Sequence, residues 1–557
     1  MNRSGTIKAL EEIAQDIDVI VDERTKITQN KLLNLVEESL KTIEELRAKV
    51  QLLRDENNRL KGEQGKPNIR KQTKDISSED ERKNKKPRGD RKKNKKKKKH
   101  RIKIDRVKKC KIDKDQLPAD AVYKGYQTVI VQDIIVKTNN VKFEKDTWYS
   151  PSLKKTFMAS LPDGYSGSEF GPGLRKMVLS LNHEGNMTES CIANFLTNHD
   201  ILISAGTISN LLTKPPEINE FHREYQDITI AGLGSAEYQQ MDDTGARVKG
   251  KNHYNHILCN EFYTSYSTRQ NKDRLTIIDI LTQDEVKFIF NEQAFLLMQE
   301  MQLSEKWLEV FRVNHADKSV NRKELDAILD AIFPNPNKQR TNRQTILEAT
   351  AIAAYQLLPR AAKILLTDDA PQYNKIASYH ALCWIHIGRH YKKLMPAVKS
   401  HQLELANFIT NFWEYYKQLL VYKTHPTPVD ADRLSKEFDL LFATETNYDQ
   451  LNDRIAKTRE KKSQLLLVLE FPFLPLHNND SELSVRNQAR KRDVSFHTMS
   501  PAGTKAKDTF MTLKQTAKKL AVNFYDYIGD RINKTYEMPS LAELIVERSQ
   551  KMVLNST

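Results

Sequence analysis

Cysteine is scarce in this 557-residue chain: Cys110, Cys191, Cys259 and Cys383 are scattered, and no two stand in a C-x-x-C spacing. That argues against a disulfide framework and against a structural zinc site, leaving isolated reduced thiols. No run of about 18 apolar residues occurs, so no membrane span is expected. The opening Met1-Asn2-Arg3-Ser4-Gly5 lacks the apolar core of a secretory signal, and a soluble intracellular protein is the expectation. Large apolar side chains are nearly missing from Gly62 to Lys109. Such a stretch cannot bury enough surface to fold alone and reads as a flexible arm, so residues 62–110 are taken as a disordered basic linker.

What is present there is charge. The chain carries a net charge of +16, and Arg82 to Lys109 holds 18 Lys or Arg against Asp90 and Asp105, which accounts for all of it. Lys95, Lys96, Lys97, Lys98 and Arg101 are the candidates for contact with DNA phosphates, an affinity that counterion release makes salt-dependent and blind to sequence. The same run also reads as a localisation signal in a nucleated cell, or as a solvated linker with no partner.

The length allows several domains. Residues 1–61 read as helical. Over 32–60, Val36, Ile43, Val50 and Asn57 fall at one heptad position, with Ser39, Leu46, Leu53 and Leu60 at the other. That pattern suits a parallel two-stranded coil, and so a homodimer or larger assembly; a surface helix packed on its own chain is the alternative. Residues 111–165 read as a small β-rich module, from apolar runs in Val122–Val136 and Val141–Leu161 with a turn at Asn139-Asn140. Residues 166–225 read as three short helices, Pro172–Leu181, Thr188–Asn198 and one capped by Ser204 with Ile208, Leu211 and Leu212 facing inward. The spacing is that of a helix-turn-helix offering Thr207, Ser209, Asn210 and Lys214 to a DNA groove, or of a plain packing module.

From residue 226 to 500 the pattern is α/β. Ala236–Met241 reads as a strand delivering Asp242-Asp243 to a Thr244-Gly245 turn, followed by strands at His253–Leu258 and Phe262–Thr268. A second strand, Lys363–Thr367, ends in Asp368-Asp369, and a short run, Ala381–Ile385, ends at His386. A helical pattern begins near Glu482. Helical insertions are expected near 285–345 and 388–466, and a helical segment over 501–557. Two Asp on strands and a Glu on a helix suit a pair of hard divalent cations. Neighbouring strand residues point to opposite faces, so one acid of each Asp pair should face that site.

The order of these elements resembles the ribonuclease H-like fold of DDE transposases. More narrowly, the motifs resemble those of the insertion sequence 66 family of transposases. Asp242-Asp243-Thr244-Gly245-Ala246-Arg247-Val248 is similar to its D-E-T-G-x-R-V, and Thr367-Asp368-Asp369-Ala370-Pro371-Gln372-Tyr373 to its S-D-G-x-x-x-Y. Cys383-Trp384-Ile385-His386 with Arg389 and Tyr391 is similar to its C-W-A-H segment, and Asn478-Asn479 through Glu482 and Arg486 to its N-N-x-x-E-R-x-x-R. The chain departs from the family at Leu483, where Arg is expected, at His477, where Asp is usual, and in lacking the cysteine ribbon near Cys110. The Asp242 to Asp368 spacing is also long for it.

The resemblance implies that Asp242, Asp368 and Glu482 are catalytic and hold two Mg²⁺ or Mn²⁺ ions, roughly 3.5 to 4 Å apart; no zinc is expected, because the family's cysteine ribbon is missing here. It implies double-stranded DNA as partner, at element ends and target, in cleavage and strand transfer. It further implies a cytoplasmic, nucleoid-associated protein of prokaryotic type. Arg486, Lys491 and Arg492, just after Glu482, are candidates to hold backbone phosphates or else form a solvated helix face. His386 either lies near the ions or caps local structure. A catalytically silent relative that only binds DNA is the alternative function.

Overall fold

The apolar alternation around Asp242 and Asp368 becomes one five-stranded sheet. A computed structural model describes residues 3–18, 22–60, 102–113, 117–118, 121–162, 165, 169–214 and 216–556. The basic run bearing Lys95, Lys96, Lys97, Lys98 and Arg101 lies outside the described residues, as do the side chains of Asn57 and Leu60. The chain divides into two units, Leu53–Asn139 and the remainder.

Helix α1 spans Arg3–Asp18 and α2 spans Glu23–Leu60. One face of α2 packs on the chain itself. Leu33 joins Leu10, Ile17 and Val398 in a small core, and Asn34 donates to the Asn447 carbonyl at 3.0 Å while accepting from Asp449 N at 3.1 Å. The buried Glu37 carboxylate accepts from Ala397 N (2.6 Å), Val398 N (2.9 Å) and His401 Nδ1 (2.9 Å). It thereby satisfies backbone donors beside the start of a helix more than 350 residues away. The heptad residues Val36, Ile43, Leu46 and Val50 lie on the outside, each more than 40% exposed.

In the separate unit, residues 121–139 form no strand, and Val122, Val129, Val131, Ile134 and Ile135 are exposed. The β-rich module expected over 111–165 reduces, among the described residues, to one hairpin, β1 (Thr147–Ser150) with β2 (Lys155–Met158). Alternation in sequence makes a strand only where a ladder partner and a buried face exist; here the side chains find neither.

Three helices follow, α3 (Pro172–His183), α4 (Glu189–Thr197) and α5 (Ala205–Thr213). Thr188 and Ser204 cap α4 and α5 by accepting from Cys191 N and Thr207 N, and Ile208, Leu211 and Leu212 are buried. Helix α6 (Pro216–Leu233) leads to the sheet, whose strands are β3 (Tyr238–Val248), β4 (Lys251–Cys259), β5 (Thr264–Arg269), β8 (Ile364–Thr367) and β9 (Tyr379–Leu382), in spatial order β5-β4-β3-β8-β9. The first three form an antiparallel meander, and β8 and β9 run parallel to β3. Between β5 and β8 lie helices Arg274–Thr282, Glu292–Glu300, Glu305–His315 and Arg322–Ile332, a two-residue ribbon of β6 (Phe288–Ile289) with β7 (Ser319–Val320), and α7 (Arg340–Gln356).

After β9, α8 (Trp384–Lys392) opens a second helical region containing α9 (Lys399–Tyr422), Pro428–Leu441 and Asp449–Arg459. Trp384 is fully buried at its centre, with Nε1 donating to the Leu465 carbonyl at 3.0 Å. A Cβ at Gly388 would lie 2.6 Å from the Trp413 ring, so glycine lets α8 lie close against α9. Helices α10 (Asn479–Ser495) and α11 (Pro501–Lys519) return to the sheet. Among the described residues no helix is long and apolar enough to cross a membrane.

Candidate active site

Strand β3 does not end at its acids. It continues through Thr244 and Gly245 to Val248, paired with β4 from Gln240↔Cys259 to Val248↔Lys251. The turn is instead Lys249-Gly250, at φ +48° and +76°, the left-handed pair that a two-residue hairpin requires. Asp242 and Asp243 are therefore mid-strand, on a backbone held from both sides. On the other side β3 pairs with β8 at Gln240↔Leu366. Asp368 follows directly on Thr367, the last residue of β8, and its charge reaches Asp242.

Helix α10 brings the third acid. Its N-terminus is tied to β3 by Asn478 Nδ2, which donates to the Met241 carbonyl at 2.8 Å. It is tied to the β9–α8 corner by Asn478 N donating to Cys383 Sγ (3.3 Å) and Trp384 N donating to the Leu476 carbonyl (3.0 Å). One turn in, the Glu482 carboxylate accepts from Arg389 Nη2 at 2.8 Å, with His386 Nε2 at 3.7 Å. His386, expected at a strand end, lies in the first turn of α8, three residues before Arg389 and on the same face.

The electrostatics tie these groups together. Asp242 is pushed up to about 7, first by burial, with the charges of Asp368, Asp243 and Glu482 adding to it and a hydrogen bond from Asp243 N opposing. Burial also raises Asp368, against the nearby His386. Asp243 and Asp369 engage other partners: Asp243 meets Gln372 Nε2 at 3.2 Å and Lys272 Nζ at 3.7 Å, and Asp369 pairs with Lys461. Ligand atoms of Cys383, His386 and Glu482 lie within 4.8 Å of one another. Burial pushes the Cys383 thiol up to about 11, so it keeps its proton at neutral pH. The usable donors of the site are carboxylate oxygens and an imidazole.

Of the other expected residues, Arg486 is exposed on α10 and Arg492 donates to the Gly245 carbonyl. Lys491 does not face solvent. It shares a helix face with the buried Ser484 and Gln488, and its ammonium donates to the carbonyl and Oδ1 of Asn182. Asn210 and Lys214 are exposed, while Thr207 and Ser209 are half-buried. Arg389 and Asn478 are the residues that composition and pairing arguments miss as positioning groups. The signals on offer were the i, i+3 spacing of His386 and Arg389 and the Asn-Asn before the Glu helix.

A mixed α/β protein whose parallel strand pair and return helix converge three carboxylates is the class that fold and site define. Residues 338–506, which include Asp368, His386 and Glu482, match the profile of the transposase IS66 family, a family of DDE transposases. An uncharacterized protein of Sinorhizobium fredii (strain NBRC 101917 / NGR234), y4jO, is 31% identical over 323 residues, covering 54% of this chain and 94% of its own. The chain belongs to the transposase IS66 family. Membership implies DNA as a partner and divalent cations as cofactors in general.

Proposed function

We propose that the chain is a DNA transposase of an insertion sequence, cutting and joining strands at the ends of its own element, with a ribonuclease H-like catalytic domain over 226–500. One observation supports the reading: Asp242 on β3, Asp368 just past the end of the neighbouring β8 and Glu482 on α10 are close enough that the charges of the last two act on the first. Asp242, Asp368 and Glu482 are its catalytic and metal-holding residues. A carboxylate pushed to about 7, first by burial and then by neighbouring acids, belongs to a donor set that a hard divalent cation relieves, which fits Mg²⁺ or Mn²⁺. Two such ions would neutralise charge on a scissile phosphodiester and acidify an attacking water.

The protein's own part is placement. The sheet fixes Asp242 and Asp368, Asn478 fixes the helix that carries Glu482, and Arg389 fixes the carboxylate itself. Arg486 and Arg492 hold backbone phosphates further along the same helix. Thr207, Ser209, Asn210 and Lys214, with the basic run around Lys95–Lys98 and Arg101, grip the duplex. The outer face of α2 joins two copies, and the protein works in the cytoplasm on the nucleoid.

The test is strand cleavage by the full chain with Mg²⁺, on DNA carrying the sequences that flank its own coding region. Asp242→Ala should lose more than about 100-fold in cleavage, beyond what outer-shell changes cost at metal sites, yet keep salt-sensitive binding. A wild type that binds but never nicks is a silent DNA-binding relative.

A further inference from the structure

The two elements that carry Asp242 and Glu482 meet a second time. Three residues beyond Asp242, about 10 Å along β3, Arg492 of α10 donates to the Gly245 carbonyl. Just past the helix, Thr498 bonds to β3 on both sides: Lys249 N donates to its carbonyl at 2.8 Å, and its own N–H donates to the Arg247 carbonyl at 3.3 Å. Between these ties lies a groove of about 670 Å³. Arg247, Arg492, His253 and His497 line it, against the single acid Asp493. Its wall includes Tyr254, whose ring has Lys272 Nζ 5.3 Å above it. The same ammonium is 3.7 Å from Asp243, the neighbour of Asp242 on the other face of β3, so the groove and the acid site share one strand.

Phe496 stands at the rim, 73% exposed. Its backbone is at φ +54°, ψ −76°, a conformation that L side chains rarely adopt. The turn is pinned on both flanks, by Phe496 N donating to the Arg492 carbonyl at 2.7 Å and by the Thr498 bonds. A strained backbone that holds a large apolar ring out in water works against stability twice over. Such strain persists where the surroundings over-determine it, and it clusters at ligand sites. An exposed ring beside a cationic groove is the combination that takes single-stranded nucleic acid, the cations following phosphates and the ring stacking on any base.

We propose that this groove receives a DNA strand as it leaves the acid site, and that Phe496 stacks on an unpaired base a few nucleotides from the scissile phosphate. This rests on the acid site being a DNA-processing centre. Arg247 and Arg492 hold the phosphates on either side of the stacked base.

The test uses the full chain with Ca²⁺ in place of Mg²⁺, and duplexes that are blunt or carry a six-nucleotide single-stranded overhang with 2-aminopurine at each position in turn. Wild type should quench emission at one register and prefer overhang to blunt DNA. Phe496→Ala should abolish that quench and weaken overhang binding by roughly 5- to 100-fold, leaving blunt-duplex binding within about twofold. Phe496→Trp should keep both. Phe496→Gly should lose them while its thermal midpoint holds or rises, because glycine accepts the positive φ. If Phe496→Ala binds and quenches like wild type, the stacking inference falls and the acid-site reading stands. If wild type binds neither DNA, both fall.

Discussion

The carboxylate proposed to hold a metal ion already has a cationic side chain beside it. Glu482 is largely buried, and Arg389 Nη2 is 2.8 Å from it. A fixed guanidinium beside a carboxylate repels a second cation. Arg389 is therefore a positioning residue that sets a limit on metal affinity. Arg389→Ala should tighten Mn²⁺ binding by DNA-free protein by roughly tenfold, since about 1.4 kcal/mol is a factor of ten. The same change should slow cleavage, because the Glu482 side chain loses the group that aims it. Paramagnetic resonance of free Mn²⁺ during a titration reads the first effect, and strand nicking the second. Equal or weaker Mn²⁺ binding in the variant would show that aiming outweighs repulsion. Arg389→Lys should recover little of the aim, because an ammonium cannot reproduce the guanidinium fork.

Among the elements, α10 is the one on which most depends, since it carries Glu482 at one end and the groove at the other. Its middle is fastened to α3 by Lys491, whose amine is pulled down from 10.5 to about 7, first by burial and then by Lys507 and Lys514. Unfolded, that amine keeps its proton up to about 10.5. Between roughly 7 and 10.5 the unfolded chain therefore binds a proton that the folded chain has released, and stability rises with pH across that window. From pH 7 to 9 the wild type should gain on the order of 2 kcal/mol relative to Lys491→Met. Calorimetry of both proteins at pH 7, 8 and 9 measures it. Parallel curves would mean that Asn182 keeps the ammonium charged. The Lys491 result also marks where sequence reading stops. Asp242, Asp368 and Glu482 can be proposed from sequence because each sits in a short local motif, but the burial of Lys491 depends on Asn182, 309 residues away. The end of β3 was misplaced for a similar reason: Thr244-Gly245 carries a turn signal, yet Gly245 has no positive φ and stays in the ladder, because β4 supplies a partner at every position to Val248.

At the scale of the whole molecule, α2 packs on its own chain along one face and leaves its heptad line on the other. Leu33, Asn34 and Glu37 bind it to its own chain near Val398 and Asn447, while Val36, Ile43, Leu46 and Val50 form an outer line that stays about half exposed. The sequence pattern could not separate the two faces, since docking is decided by Ala397, Val398 and His401, far off in the chain. A line of apolar side chains at heptad spacing on the outer face of a helix fixed to the body has the pattern of a coiled-coil seam, and the self-association proposed for it can be tested. Placing a carboxylate at two seam positions desolvates like charges against each other in an assembly, but leaves a single chain's contacts unchanged. Ile43→Glu with Val50→Glu should therefore shift the mass in sedimentation equilibrium to the 64.5 kDa of one chain, with the thermal midpoint at low concentration unmoved. Because the inner face of α2 is untouched, the proteolytic resistance of the Glu37–His401 contact should also persist. A variant that keeps the larger mass would place the contact between copies elsewhere, and the outer face of α2 would then have no role in self-association.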